Sequence, residues 1–243
     1  MKVLAIDAGN TRVKWGWHDG TRWGRRSAIA IARIRNLKPL FARLPRCDAV
    51  VVSNVAGAAV LKSLRSVLPR ASQTHWIKSG RTQSGVKNSY WQPYRLGTDR
   101  WAALIGARQR YRGPLVVVNA GTAVTVDALT AGGVFLGGVI IPGAGLMRDA
   151  LARNTAALSR RPGRVSRFPR ATGDAIVSGV VDALAGAIER VACFLEQRAR
   201  RKPLCVLSGG DAVLLAPYLN RNIRVVDNLV LEGLLAIAYA KAR

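Results

Sequence analysis

Apolar and polar positions fall into the same order twice along the chain. Residues 3–6 (Val-Leu-Ala-Ile) lead into Asp7-Ala8-Gly9-Asn10-Thr11 and then into residues 12–20, where Trp15 and Trp17 stand at a strand's period. Residues 116–118 (Val-Val-Val) lead into Asn119-Ala120-Gly121-Thr122 and then into residues 123–133. A short apolar run ending in glycine and small polar residues predicts a buried strand and a tight turn. The residues beyond each turn predict the returning strand, and the turn glycines are expected to supply a positive φ. Residues 49–52 and 204–207 predict later strands, ending in Ser53 to Gly57 and in Ser208-Gly209-Gly210. Helices follow them over 58–68 and 212–219, fifth strands over 74–78 and 223–226, and closing helices over 99–111 and 229–242. The order is three strands, helix, strand, helix, strand, helix, stated twice. Arg112-Gly113-Pro114 marks the boundary, because Gly and Pro end a helix. The chain therefore divides into two α/β halves, 1–112 and 113–243.

The second half also carries a long helical pattern over 173–200. Ile176, Val180, Leu184, Ile188, Ala192 and Leu195 recur at spacings of three and four, which puts them on one face. That stripe suits a core or a subunit contact, and the pattern alone does not choose. Residues 159–170, with two prolines and five arginines, predict an exposed loop.

Composition narrows the class. The chain has 243 residues, 49% apolar and 21% charged, enough to bury a core and unlike a disordered segment. The apolar run at the start meets Asp7 after four residues, too short for a signal-peptide core. The apolar stretch 225–240 contains Asp227 and Glu232 and predicts a packed helix, not a membrane span. Three cysteines and two histidines lack zinc-site spacing, which suits a reducing cytoplasm. Basic residues number 38 against 13 acidic, a formal charge of +25. Such an excess attracts anions and would suit nucleic acid. The basic residues are scattered, however, and no helix-turn-helix or aromatic–basic pattern accompanies them, so a solvated surface is the preferred reading.

Candidate chemistry gathers at the glycine turns. Asp7 to Thr11, with Lys14 on the returning strand, presents backbone N–H groups, the polar side chains of Asn10 and Thr11, and a cation. Phosphate binding needs those groups. Asp7 is placed to hold Mg²⁺, directly or through water. The same residues are ordinary hairpin formers, and the turn alone leaves both readings open. Gly121-Thr122-Ala123 is its counterpart; if the halves pack pseudo-symmetrically, the two tips form a phosphate clamp. Gly137-Gly138, Gly143, Gly145 and Ser208-Gly209-Gly210-Asp211 let backbone approach a nucleotide closely. Gly97-Thr98-Asp99-Arg100 opens a helix. Thr98 or Asp99 serves there as a cap, and Asp99 as a base for a hydroxyl, or both at once, while Arg100 suits a carboxylate or phosphate.

Taken in order, these motifs resemble the type III pantothenate kinases, a family that includes Bvg accessory factors. The resemblance rests on Asp7-Ala8-Gly9-Asn10-Thr11-Arg12-Val13-Lys14, on Asn88-Ser89-Tyr90 with Leu96-Gly97-Thr98-Asp99-Arg100, and on Gly121-Thr122-Ala123. It continues through Gly137-Gly138-Val139-Ile140-Ile141-Pro142-Gly143 and Ala171-Thr172-Gly173-Asp174-Ala175-Ile176, so that it runs from residue 3 to about residue 235. It implies two tandem ribonuclease-H-like halves of the acetate kinase, sugar kinase, Hsp70 and actin type, with the active-site cleft between them. It further implies ATP-dependent phosphorylation of pantothenate to 4′-phosphopantothenate, the first step towards coenzyme A. By the same resemblance Asp7, Ala8, Gly9, Asn10, Thr11, Arg12, Val13, Lys14 and Thr122 contact ATP. Asp99 is the general base, and Tyr90, Gly97, Thr98, Asp99, Arg100 and Thr172 line the pantothenate site. A homodimer, Mg²⁺ and a monovalent cation, K⁺ or NH₄⁺, are implied as well.

One position departs from the family. Where it usually has an aspartate as ligand to the monovalent cation, this chain has Asn119, which offers an amide oxygen without charge. Two other functions remain open on the sequence. One is a kinase for another small hydroxy acid; the other is a regulatory or transcriptional accessory protein of the same fold with weakened catalysis.

Overall fold

The computed structural model describes residues 1–71, 73–158 and 161–242. By its internal contacts the chain splits into two compact units, Met1–Arg110 with Asn228–Arg243, and Tyr111–Asp227.

The first unit begins with a meander, β1 (Val3–Ala8), β2 (Arg12–His18) and β3 (Trp23–Ala30). After α1 (Leu37–Ala42), β4 (Ala49–Asn54), α2 (Ala58–Val67) and β5 (Gln73–Trp76) complete a sheet of order β3-β2-β1-β4-β5. β1 and β2 are antiparallel, whereas β4 lies parallel to β1 and β5 to β4. A short hairpin, β6 (Thr82–Gln83) and β7 (Val86–Asn88), precedes α3 (Thr98–Arg110). All six residues of β1 are buried, so both sheet faces are covered. Leu4, Ile6, Val13 and Trp15 pack with α1 and α2, where Trp15 meets Phe41 edge-on at 5.4 Å. By strand alternation, Asp7 belongs to the opposite face.

The second unit repeats the plan with β8 (Leu115–Ala120), β9 (Ala123–Leu129), β10 (Val134–Pro142), α4 (Ala144–Asn154) and α5 (Thr172–Ala199). It ends in β11 (Leu204–Ser208), α6 (Ala212–Leu215) and β12 (Ile223–Val225), its strands running β12-β11-β8-β9-β10. The stripe on α5 faces the core: Val180, Leu184, Ile188, Ala192 and Leu195 pack on Val116, Val118, Val124 and Val126. Of the predicted loop 159–170, Ser159 and Arg160 lie outside the described residues. The remainder has no helix or strand and is tied to α5 by Arg164 N donating to Asp174 Oδ1 (2.8 Å) and Ser166 N to Ser178 Oγ (2.9 Å).

Several expectations change. The last helix, α7 (Leu229–Lys241), belongs to the first unit and not to the second half that precedes it. It is apolar on nearly every side, and α3 receives it through glycines. A Cβ on Gly106 would lie 2.5 Å from the Leu229 carbonyl oxygen, and one on Gly233 would overlap the Ala102 backbone. The contact excludes side chains at both positions, and a tight helix crossing depends on it. The turn glycines Gly9 and Gly121 do not use positive φ, whereas Gly209 does, at +101°. His18 is buried, and its Nδ1 accepts from Gly20 N (3.1 Å) and lies 3.1 Å from the Tyr239 hydroxyl. Among the described residues no helix is long and apolar enough to cross a membrane.

Candidate active site

The β1–β2 turn is closed by Gly9 N donating to the Arg12 carbonyl at 3.1 Å, and Ile31 N donates to Thr11 O. Asn10, Thr11 and Arg12 are exposed, while Val13 anchors the hairpin in the core. A Cβ at Gly9 would meet only Arg12 O, at 3.6 Å, so glycine leaves the tip bare without being sterically required. Ala8 is buried beneath the tip and holds Val55 N through its carbonyl (3.0 Å).

Asp7 stands at the inner end of this turn, opposite Lys14 on β2 and Ser53 on β4. Directly opposed residues share a sheet face. Burial raises the Asp7 carboxyl from 3.8 to about 7, and the charge of Asp99 adds to the rise. Lys14 and a hydrogen bond from Ser53 oppose it. Asp7 Oδ1 is buried without a hydrogen-bond partner. An orphan carboxylate oxygen at this depth is costly unless a cation or its water meets it. The residues therefore fit Mg²⁺ at Asp7.

Asp99 lies in the first turn of α3. Its Oδ1 accepts from Arg100 N at 2.8 Å, which satisfies one of the free N–H groups at the helix start. Burial also raises its pKa, against the nearby Arg100 N–H and charge. A capped carboxylate made more basic by burial is suited to take a proton. Gly97 makes room for it, since a Cβ there would come within 2.6 Å of Asp99 Oδ1. Arg100 is buried, and its Nη1 donates to the Tyr90 hydroxyl (3.0 Å) with the guanidinium 5.8 Å from the ring centre. Tyr90 is positioned by Asn88, whose Oδ1 accepts Tyr90 N and whose Nδ2 donates to Pro93 O. Trp91, by contrast, is almost fully exposed.

Two residues here were missed as site residues by the sequence reasoning. Ser53 Oγ lies 2.9 Å from Thr98 Oγ1, joining the end of β4 to the start of α3. Asn88 is buried under the Tyr90 loop. The signal for Ser53 lay in the repeat: Ser53 pairs with Asp7 and Ser208 with Asn119, in the same places of the two sheets.

In the second unit, Gly121 N donates to Ala123 O (3.1 Å) and closes the β8–β9 turn. Thr122 O accepts from Gly143 N at 2.9 Å, and Ala120 O from Asp211 N at 3.1 Å. A Cβ on Gly143 would strike Gly121 and Thr122 backbone, and one on Gly209 would strike Ala120 backbone. Glycines thus bring the α4 start and the β11–α6 turn against one hairpin tip. Asn119 is half-buried between Thr125 and Ser208 in the ladder. Asp127 lies on the same sheet face, opposite Val117, and is buried. Among the described residues no group of three or more His, Cys, Asp or Glu could hold a metal ion. With a neutral amide at 119, the residues do not reproduce the charged monovalent-cation site that the resemblance implies.

Thr172 opens α5, exposed, beside Gly173, whose missing side chain admits the Pro162 carbonyl. It lines an apolar groove of about 970 Å³ between α4 and α5, with Leu146, Met147, Leu151 and Ile176. That groove contains neither Asp7 nor Asp99.

The fold defines a class, two α/β units of one plan, similar to the folds of an archaeal actin homolog and a Thermus thermophilus ROK hexokinase. An archaeal actin homolog, Ta0583, aligns over all of both chains with TM-score 0.53 at 12% identity. A Campylobacter jejuni protein of the Baf family aligns over 98% of both at TM-score 0.63 and 20% identity. The family profile described as type III pantothenate kinase matches residues 3–193. A Nitrosospira multiformis protein named type III pantothenate kinase is 47% identical over 237 residues, covering 97% of this chain and 90% of that one. The chain belongs to the type III pantothenate kinase family.

Proposed function

We propose that this chain phosphorylates pantothenate with ATP to give 4′-phosphopantothenate, with Asp99 as general base. Membership of the family supports the reaction, and the capped carboxylate of Asp99, made more basic by burial next to Arg100, supports the assignment of the base. The acceptor is a small hydroxy acid, so the site needs a base for its primary alcohol and donors for its polar groups. Asp99 takes the hydroxyl proton as the alcohol oxygen bonds to the γ-phosphorus and the bond to the β-bridging oxygen breaks. Arg100, held against Tyr90, orients the acceptor with Gly97, Thr98 and Thr172. Asp7 to Lys14 and Thr122 bind ATP, and the Lys14 ammonium neutralises phosphate oxygens. Mg²⁺ held by Asp7 would supply further neutralisation. The chain acts as a homodimer in the cytoplasm, without nucleic acid, and with little need for K⁺ or NH₄⁺ because Asn119 carries no charge.

A coupled ADP-release assay with ATP, Mg²⁺ and pantothenate tests the reaction, with a panel of other hydroxy acids run beside it. Turnover with pantothenate above all other acceptors is expected. ADP release with a different acceptor only, or with none, overturns the proposal.

A further inference from the structure

We infer that Ser53 is a positioning residue for this reaction, its hydroxyl linking the Asp7 end of β1 to Thr98 at the start of the helix that presents the base. The inference rests on the kinase reading above and adds a residue to it. Ser53 is fully buried at the end of β4, in ladder register beside Asp7, and its hydroxyl lies 2.9 Å from Thr98 Oγ1. That hydrogen bond ties the strand flanking Asp7 to the first turn of α3. Asp99 is the next residue of that turn.

The repeat supplies an internal comparison. Ser208 occupies the same register place in the second unit, against Asn119, yet its hydroxyl is directed to the Asp227 carbonyl at 3.4 Å. The serine is thus a common strand-end feature of both units, and in the first its hydroxyl meets Thr98 of the candidate site. Small misplacements of a base cost rate more than affinity, because the near-attack geometry is what is lost. Removing the Ser53 hydroxyl is therefore expected to lower kcat about 5–30-fold while KM for ATP and pantothenate changes less than about threefold.

The experiment is a double-mutant cycle on the full chain: Ser53→Ala, Thr98→Val and both together, with Thr98→Ser as the conservative variant. Coupled ADP release gives kcat and KM, and thermal melting checks the fold. Non-multiplying losses in the cycle and recovery to within about twofold in Thr98→Ser are expected. Ser53→Ala with wild-type kcat, or losses that multiply in the double variant, overturn the inference. If Ser53→Ala does not fold, Ser53→Gly takes its place: wild-type kcat overturns the inference, and lowered kcat with KM for pantothenate held within about threefold supports it. Failure of the parent reading is distinguishable, because wild type would then release no ADP with pantothenate.

Discussion

Lys14 stands directly across the β1–β2 ladder from Asp7, and Ser53 stands directly across on the other side. A cation and a hydroxyl therefore flank one carboxyl on a single sheet face. Both favour the charged form, yet burial outweighs them and holds the group at about 7.

That balance makes stability depend on pH. The folded state binds the Asp7 proton more tightly than the unfolded chain does, where the value is 3.8. The folded form is thus favoured at low pH, and its advantage is lost as pH rises from about 4 to about 7. Without nucleotide or divalent metal, Asp7→Asn is expected to melt above wild type at pH 8 and to match it at pH 4. The same difference at both pH values would mean that the carboxyl does not titrate in this window. The variant is also expected to lose ATP binding.

Asp99→Asn keeps an oxygen to accept the Arg100 N–H, so the helix start survives while the base is lost. Its melting temperature is expected to stay near wild type, with turnover reduced about 10²–10⁴-fold. Turnover within a few-fold of wild type would reduce Asp99 to a helix cap.

The α3–α7 crossing separates glycines that are needed from those that are not. Gly106→Ala would bring a Cβ within 2.5 Å of Leu229 O and is expected to cost about 1–3 kcal/mol by overpacking. Gly186→Ala, exposed on α5 with nothing within 4 Å, is expected to be neutral or to stabilise by up to about 1 kcal/mol. Urea unfolding of both variants checks the contrast, which disappears if α7 does not pack on α3.

Asn119 bears on cation dependence. At constant ionic strength, replacing Na⁺ by K⁺ or NH₄⁺ is expected to change wild-type turnover by less than about twofold. Asn119→Asp supplies the missing charge and is expected to create a marked dependence, through Coulombic attraction in a partly buried site. Strong K⁺ activation of the wild type would show that the amide suffices.

The repeated succession of strands and helices along the chain was legible because short apolar runs and their polar ends are local signals, as at residues 3–11 and 116–122. The glycine turns were legible as turns, but not the reason for glycine. Gly9 was expected to need positive φ and does not, whereas Gly209 adopts it where the β11–α6 turn meets Ala120. The burial of His18 was not legible, because its neighbour Tyr239 lies far along the chain. Ser53 looked like a strand end because its partner Thr98 is 45 residues away.

Residue order alone established the principal strands and helices, their doubled arrangement, and the motifs that carry the family likeness. Folding in space assigned α7 to the first unit, put Asp7 at a depth that lifts its carboxyl, and turned Ser53 towards Thr98. Propensity and period act between near neighbours and can be read along a chain. Burial, charge coupling and close backbone approach arise between residues far apart in it, and exist only once those residues are packed together.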